Sequence, residues 1–269
     1  MDILEQKQKT LKSLIGAYKG KDLVVAFSGG VDSSLILKLA CLQAKQEKTK
    51  VYAAIVHTML QPKKETELAE KLAEKEGAVP VILAIDELNE AGIRNNPKNR
   101  CYLCKKYMFS VILKEARKYR AAAVLEGTNA DDLNEYRPGI AALSELGIES
   151  PLVQSGFTKA EVRTMASALG IETAEKPSAP CMATRFPYDT ELSYREIERA
   201  VRMEEALRQQ GYVNVRARIH GDIVRIEVDR EEIPRAAANA EQITEEAKKL
   251  GYRYVTLDLE GFRSGSFDR

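Results

Sequence analysis

Ser28-Gly29-Gly30-Val31-Asp32-Ser33-Ser34 sets two glycines, three hydroxyls and a carboxylate between an apolar run and a helical pattern. Glycines let a backbone turn tightly and present bare N–H groups, and a helix N-terminus adds partial positive charge. Such a turn suits a pyrophosphate. The Lys-containing Walker loop and the G-x-G-x-x-G fingerprint are both absent. A second group, Gly127-Thr128-Asn129-Ala130-Asp131-Asp132, pairs small residues with two carboxylates, as a Mg²⁺–triphosphate site needs. The thiols form a third group. Cys101 and Cys104 open a helical pattern beside Arg100, Lys105 and Lys106, an electropositive setting for thiol chemistry. Cys181 lies in a proline-rich connector, and Cys41 falls on the apolar side of the first long helix as a core residue. The three candidate thiols permit a redox pair, a zinc site short of its fourth ligand, an iron–sulfur cluster with one open iron, or plain unpaired thiols.

The elements that must position these groups are legible from hydrophobic patterning. LVVAF (23–27), VYAAIVH (51–57), PVILAI (80–85) and AAAVLEG (121–127) read as buried strands. Helical patterns separate them: one from about Asp32–Ser33, a charged one over 65–77, and one over 101–120. This alternation predicts an α/β fold, a doubly wound parallel sheet whose ligands sit at the carboxyl ends of the strands. After about Arg185 the pattern changes to a helix (193–210), two alternating strands hinged at Gly221–Asp222, a helix (231–250) and a strand (254–259). That order suggests a small α+β domain with an antiparallel sheet. Alternation puts Arg216 and Arg218 on one face, and Val213, Val215 and Ala217 on the other. The expected domains are 1–184 and 185–269.

Composition narrows the partners. The 269 residues carry 41 Lys+Arg against 40 Asp+Glu, a net charge of +1 that argues for neither a nucleic-acid nor a membrane partner. MDILEQKQKTLK lacks the apolar core of a signal peptide, and no run is long enough to span a bilayer, so a soluble cytoplasmic chain is expected.

The strand–SGGVDSS–helix unit and GTNADD resemble the PP-loop (adenine nucleotide alpha hydrolase-like) ATP pyrophosphatase superfamily, which splits ATP into AMP and pyrophosphate to adenylate a substrate. NRCYLCKKYMF (99–109), RPGIAALSELGIESPL (137–152), KPSAPCMATRFPY (176–188) and GFRSGS (261–266) add a resemblance to its LarE-type sulfur transferases, which serve nickel-pincer cofactor biosynthesis. The resemblance implies ATP and Mg²⁺ as cofactors, with Ser28 to Ser34, His57, Gly127, Thr128 and Asp131 around the nucleotide. It implies a small-molecule substrate, a pyridinium-3,5-biscarboxylate mononucleotide, adenylated and converted to a thiocarboxylate, with a sulfide donor and self-association as the further partnerships. In single-cysteine members the residue matching Cys181 gives up its own sulfur. Cys101 and Cys104 depart from that pattern, and the sequence looks like the subtype whose three thiols hold a [4Fe-4S] cluster carrying sulfide. Arg137, Arg185, Arg216, Arg218, Arg263 and Ser264 are the expected substrate or phosphate contacts, and Asp132 and Glu204 the expected divalent-cation ligands. The rival readings are a PP-loop tRNA thiolase and an ammonia-using synthetase with structural zinc.

Overall fold

The computed structural model describes residues 3–60, 63–134, 137–175 and 181–263. The chain forms two compact units, Met1–Gly92 with Asn99–Ala179, and Ile93–Lys98 with Pro180–Arg269.

The first unit runs α1 (Ile3–Gly16), β1 (Leu23–Ala26), α2 (Val31–Glu47), β2 (Val51–His57), α3 (Lys63–Glu76) and β3 (Val79–Ala84). It continues through α4 (Glu87–Glu90), α5 (Arg100–Lys118), β4 (Val124–Leu125), α6 (Gly139–Glu145), α7 (Pro151–Gln154) and α8 (Lys159–Ala168). All four strands are parallel, in the order β3-β2-β1-β4. The chain winds outward from β1 to β3 and then returns to β1's other side, so strand order reverses between β1 and β4. A crevice opens at such a switch point because the loops leaving the two strands diverge to opposite faces. SGGVDSS leaves β1 and GTNADD leaves β4, so both motifs flank it.

Helices cover both faces. Leu11, Leu35, Phe157 and Val162 pack on one side of the sheet, and Phe109, Ile112 and Leu143 on the other. Strand β4 is shorter than the apolar run AAAVLEG because it is an edge, laddered only to β1 over two residues. Its continuation pairs with Glu149 instead, whose N–H bonds Val124 O and whose O accepts from Glu126 N.

The second unit contains α9 (Tyr194–Gln209), β5 (Arg216–His220), β6 (Ile223–Glu227), α10 (Ile233–Ala238), α11 (Ala240–Lys249) and β7 (Tyr254–Leu257). Its sheet has the order β5-β6-β7 and is mixed rather than antiparallel. The hairpin β5–β6 is antiparallel, but the α10–α11 crossover returns the chain so that β7 lies parallel to β6. The single helix expected over 231–250 is broken at Asn239, which ends α10 and begins α11. Val213, expected on one strand face with Val215 and Ala217, precedes the strand and is exposed, whereas those two are buried. The segment 93–98 joins this unit from far upstream. Asn96 donates its amide to the Phe186 and Pro187 carbonyls at 3.1 and 2.7 Å, and Leu192 N–H bonds Arg94 O at 2.7 Å. Among the described residues no helix is long and apolar enough to cross a membrane.

Candidate active site

The crevice of the first unit holds a cavity of about 260 Å³. Its floor is the end of β1 (Ala26, Phe27) with Ala54 and Val56 of β2. Ser28, Asp32 and Ser33 line one end, Gly127, Thr128 and Asp132 the facing loop, and α5 contributes Lys105, Met108, Phe109 and Ile112. One part is therefore apolar and the other is rich in hydroxyls, carboxylates and cations. An aromatic base fits the first and phosphates the second.

Local geometry builds the polar end. Gly29 sits at φ 70°, a left-handed conformation, and a Cβ there would lie 3.2 Å from Ala69 Cβ on α3. Gly30 occupies the N-cap of α2, so no side chain satisfies the first-turn N–H groups from that position. Ser33 Oγ turns back to donate to Gly30 O at 3.1 Å and accepts from Ser28 N at 3.3 Å, which folds the loop onto the helix start. Gly127 brings β4's loop against this turn: a Cβ there would lie 2.7 Å from Ser33 N and 3.0 Å from Asp32 C. Both obstacles are backbone, so the turn itself would have to move. Gly127→Ala is expected to destabilise the protein by about 1–3 kcal/mol and to weaken ATP binding in parallel, read by denaturant unfolding and nucleotide titration.

Three carboxylates line the cavity, Asp32, Asp132 and Glu126, and cations hold the first two. Asp32 accepts from Asn129 Nδ2 at 3.2 Å and from Lys159 Nζ. Asp132 pairs with Arg137 at 3.0 Å and accepts from Asn129 N at 3.0 Å. Behind them Glu126, almost fully buried, accepts from Thr128 N and Oγ1 at 3.0 and 2.7 Å and from Ser150 Oγ, fixing the loop from below. The sequence reading missed Lys105, Lys159 and Glu126. Lys105 sits beside the noted cysteines and Glu126 directly before GTNADD. Lys159 lies 127 residues from its partner Asp32, and only the tertiary fold joins them.

Several expected nucleotide contacts do other work. Period-two alternation points Ala54 and Val56 of β2 into the cavity and turns His57 away, where its Nδ1 meets Thr66 Oγ1 at 3.1 Å. Val31 is core, and Ser34 accepts from Thr173 Oγ1 at 3.0 Å in the interior. Asp131 is exposed and accepts the Lys159 backbone N–H at 2.8 Å, so Asp132 rather than Asp131 faces the cavity.

None of the four cysteines is in a disulfide. Burial, then Glu76, pushes the Cys41 thiol up to about 12, as befits an inert core residue. Cys101 and Cys104 stand within the first two turns of α5, three residues apart and therefore on neighbouring positions of one helix face. Cys101 is exposed, and Cys104 Sγ lies 3.6 Å from Met108 Sδ. As soft donors they fit two ligands of an iron–sulfur cluster. Cys181 belongs to the second unit. Within either unit, no three His, Cys, Asp or Glu side chains of the described residues are gathered into a metal-binding group.

In the second unit Cys181 precedes a short 3-10 turn, Met182–Arg185, with Met182 and Ala183 buried beneath it. Two ion pairs clamp that turn. Arg185, 2 % exposed, donates through Nε and Nη2 to Glu204 at 2.5 and 3.1 Å. Arg218 donates Nη1 to Thr184 O at 2.6 Å and forks onto Glu227 at 3.0 and 2.9 Å. Arg185 and Arg218, expected to grip substrate, thus spend most of their donors inside the protein. Glu204, expected as a cation ligand, also accepts from Arg208 Nη2 at 2.7 Å and Ala217 N at 3.1 Å. Burial pushes its carboxyl up, but Arg185 outweighs this and holds it below the usual carboxylate range. Both its oxygens are occupied, which leaves a divalent cation no opening without breaking a buried pair, at about 3–5 kcal/mol.

Arg216 differs. It lies over the Phe262 ring at 4.7 Å and donates to Val215 O at 2.7 Å, and it makes no ion pair among the described residues. Burial, then the charges of Arg185, Arg218 and Arg208 about Glu204, lowers its pKa to about 10, still far above neutrality. It remains a cation in a cationic neighbourhood, a place where an anion relieves repulsion. Arg263 pairs with Glu260 at 2.5 Å, and Ser264 lies outside the described residues.

Residues 3–136 match the model of the PP-loop domain. The chain is 38% identical to pyridinium-3,5-bisthiocarboxylic acid mononucleotide synthase of Lactiplantibacillus plantarum, over 94% of this chain and 91% of that one. It is 35% identical to an uncharacterized protein of Synechocystis over 99% of this chain and 98% of the other. An uncharacterized protein of Methanocaldococcus jannaschii is 31% identical over 98% of this chain and all of its own length. The chain belongs to the LarE family of PP-loop, ATP-dependent sulfur transferases.

Proposed function

We propose that this enzyme adenylates the carboxylates of pyridinium-3,5-biscarboxylate mononucleotide and replaces an oxygen of each with sulfur. The observation that carries the substrate is the likeness, over 94% of the chain, to a synthase named for the bisthiocarboxylic product. The chemistry has a clear need for ATP. A carboxylate oxygen is a poor leaving group, whereas AMP leaves readily. A substrate carboxylate oxygen attacks the α-phosphorus as the bond to pyrophosphate breaks. A hydrosulfide then forms the C–S bond while the C–O bond to AMP breaks, with AMP taking the electron pair. Water competes for the same adenylate, so the enzyme must hold the reactants in near-attack contact and exclude solvent.

Within this reading the Gly29–Ser33 turn receives the leaving pyrophosphate, and Asp32 and Asp132 hold Mg²⁺ on the phosphates. Arg216 is the grip for the substrate's own phosphate, with Arg263 and Ser264 beside the chain end. The division of labour is a nucleotide half and a substrate and self-association half in a cytoplasmic enzyme fed by a separate sulfide donor; the expected boundary at 184/185 moves to that of the two compact units, with Pro180–Arg269 and Ile93–Lys98 in the second. Cys101, Cys104 and Cys181 are the residues that would hold a [4Fe-4S] cluster, which supplies an iron open to exogenous sulfide when bound.

The test is anaerobic incubation of iron- and sulfide-reconstituted enzyme with Mg²⁺, ATP, sulfide and the pyridinium mononucleotide. Thiocarboxylate, AMP and pyrophosphate should form together, beyond one turnover per chain. Release of ADP, or AMP without sulfur in the mononucleotide, would count against the assignment.

A further inference from the structure

The side of α5 that closes the nucleotide cavity is graded along its length. Ile112 and Phe109, buried at its inner end, face the apolar part of the cavity with Val56. One turn toward the N-terminus stands Lys105, and one turn further Cys101. At a rise of about 1.5 Å per residue, Lys105 lies about 6 Å from Phe109 and about 6 Å from Cys101 along the axis. Positions 101, 105, 108 and 112 fall on one helical stripe, so base-contacting groups, an ammonium and a thiol follow one another in line.

Lys105 is placed there by a specific vacancy in side-chain space. A Cβ at Gly139, the first residue of α6, would lie 2.7 Å from Lys105 Cδ and 3.3 Å from both its Cγ and Cys101 O. Glycine at that position makes room for the lysine stem between α5 and α6, and the stem leads into the cavity. Among the described residues Lys105 makes no ion pair, whereas the cavity's other cation, Arg137, is held by Asp132.

We infer that Lys105 binds a non-bridging oxygen of the α-phosphate, and so acts in both halves of the reaction. The base lies against Phe109 and Ile112, and the β- and γ-phosphates at the glycine turn leave the α-phosphate between them, at the level of Lys105. During adenylation its ammonium offsets charge on the phosphoryl group under attack. During sulfur transfer it stabilises AMP as the acyl C–O bond breaks and the electron pair passes to the phosphate oxygen. Fixed cations aimed at developing charge typically contribute 10²–10³-fold in rate. The same stripe sets the departing AMP one helical turn from Cys101. The assignment rests on the adenylation reading above and adds the group that discharges it.

The experiment is substrate-dependent pyrophosphate–ATP exchange with ATP and with the two diastereomers of its α-phosphorothioate, on wild type, Lys105→Met, Lys105→Arg and Gly139→Ala. Wild type should exchange and prefer one diastereomer. Lys105→Met should lower exchange roughly 10²–10³-fold and lose the preference, with Lys105→Arg retaining part of both. Gly139→Ala, which displaces the stem without removing the charge, should show a smaller loss of the same kind. Exchange in Lys105→Met within about threefold of wild type, or a fall with the diastereomer preference intact, would overturn the role, since a merely structural lysine leaves stereoselectivity at phosphorus unchanged. Absence of exchange in wild type itself would instead remove the adenylation reading on which the role depends.

Discussion

Asp32→Asn is expected to lower pyrophosphate–ATP exchange by roughly 10²–10³-fold while leaving the unfolding midpoint close to that of wild type. Asp32 lies one residue inside α2, lines the cavity and is tied to both sides of the crevice, by Asn129 from the β4 loop and by Lys159 from α8. Its partners are polar, the buried Asn129 amide and the partly exposed Lys159 ammonium, and an asparagine oxygen can still accept from both, so the folded state loses little when the charge goes. A Mg²⁺–triphosphate, by contrast, loses a carboxylate from the site where its charge is greatest. The pair with Lys159 sharpens the expectation. In the nucleotide-free protein the ammonium satisfies the carboxylate, and a divalent cation arriving at Asp32 must displace it toward the phosphates. Lys159→Met should therefore weaken ATP binding, and the double variant should fall short of the product of the two single effects because they act through one contact. Strict multiplicativity, or exchange near wild type in Asp32→Asn, would show that Asp32 is only part of the loop's frame.

The fold's parallel half was readable because its strands are continuous apolar runs, as a sheet covered on both faces favours, although β3, expected to be buried, is an edge that leaves Val79 and Ile82 exposed. The two motifs could be placed at strand ends for the same reason, and once β4 lies beside β1 the switch point brings them together. What escaped has no local signal. Helices α4 and α7 have four residues each, too short to show a period. The segment 93–98 joins the second unit through Asn96, a single buried amide whose partners lie about ninety residues on. Arg185, Arg218 and Glu204 looked like ligand-binding residues because charge in a sequence says nothing of whether its counter-charge is internal. Their burial is a property of α9 packing on β5. Lys159 shows the converse: an ordinary residue at a helix start gains a role only when α8 is laid against the glycine turn.

Replacing any one of Cys101, Cys104 and Cys181 by alanine is expected to abolish repeated sulfur transfer, a loss of at least about 10³-fold, while exchange into ATP stays within about threefold. The separation follows from geometry. None of the three thiols lines the nucleotide cavity, and on α5 Cys101 sits a full turn beyond Lys105. Adenylation therefore does not need them, and the step that consumes the adenylate does. The turn after Cys181 is tied by the Arg185–Glu204 pair and by Arg218, which bonds both Thr184 O and Glu227, and these ties persist when the sulfur is removed. Iron content and visible absorption after anaerobic reconstitution supply a readout independent of turnover, and each alanine variant should lose both. A different pattern would separate the mechanisms. If Cys101→Ala and Cys104→Ala still yield one thiocarboxylate per chain, and Cys181 emerges lighter by one H₂S, then Cys181 is the sulfur donor and is consumed. If all three variants turn over repeatedly, the sulfur reaches the adenylate without any thiol of this chain, and the cysteines are structural.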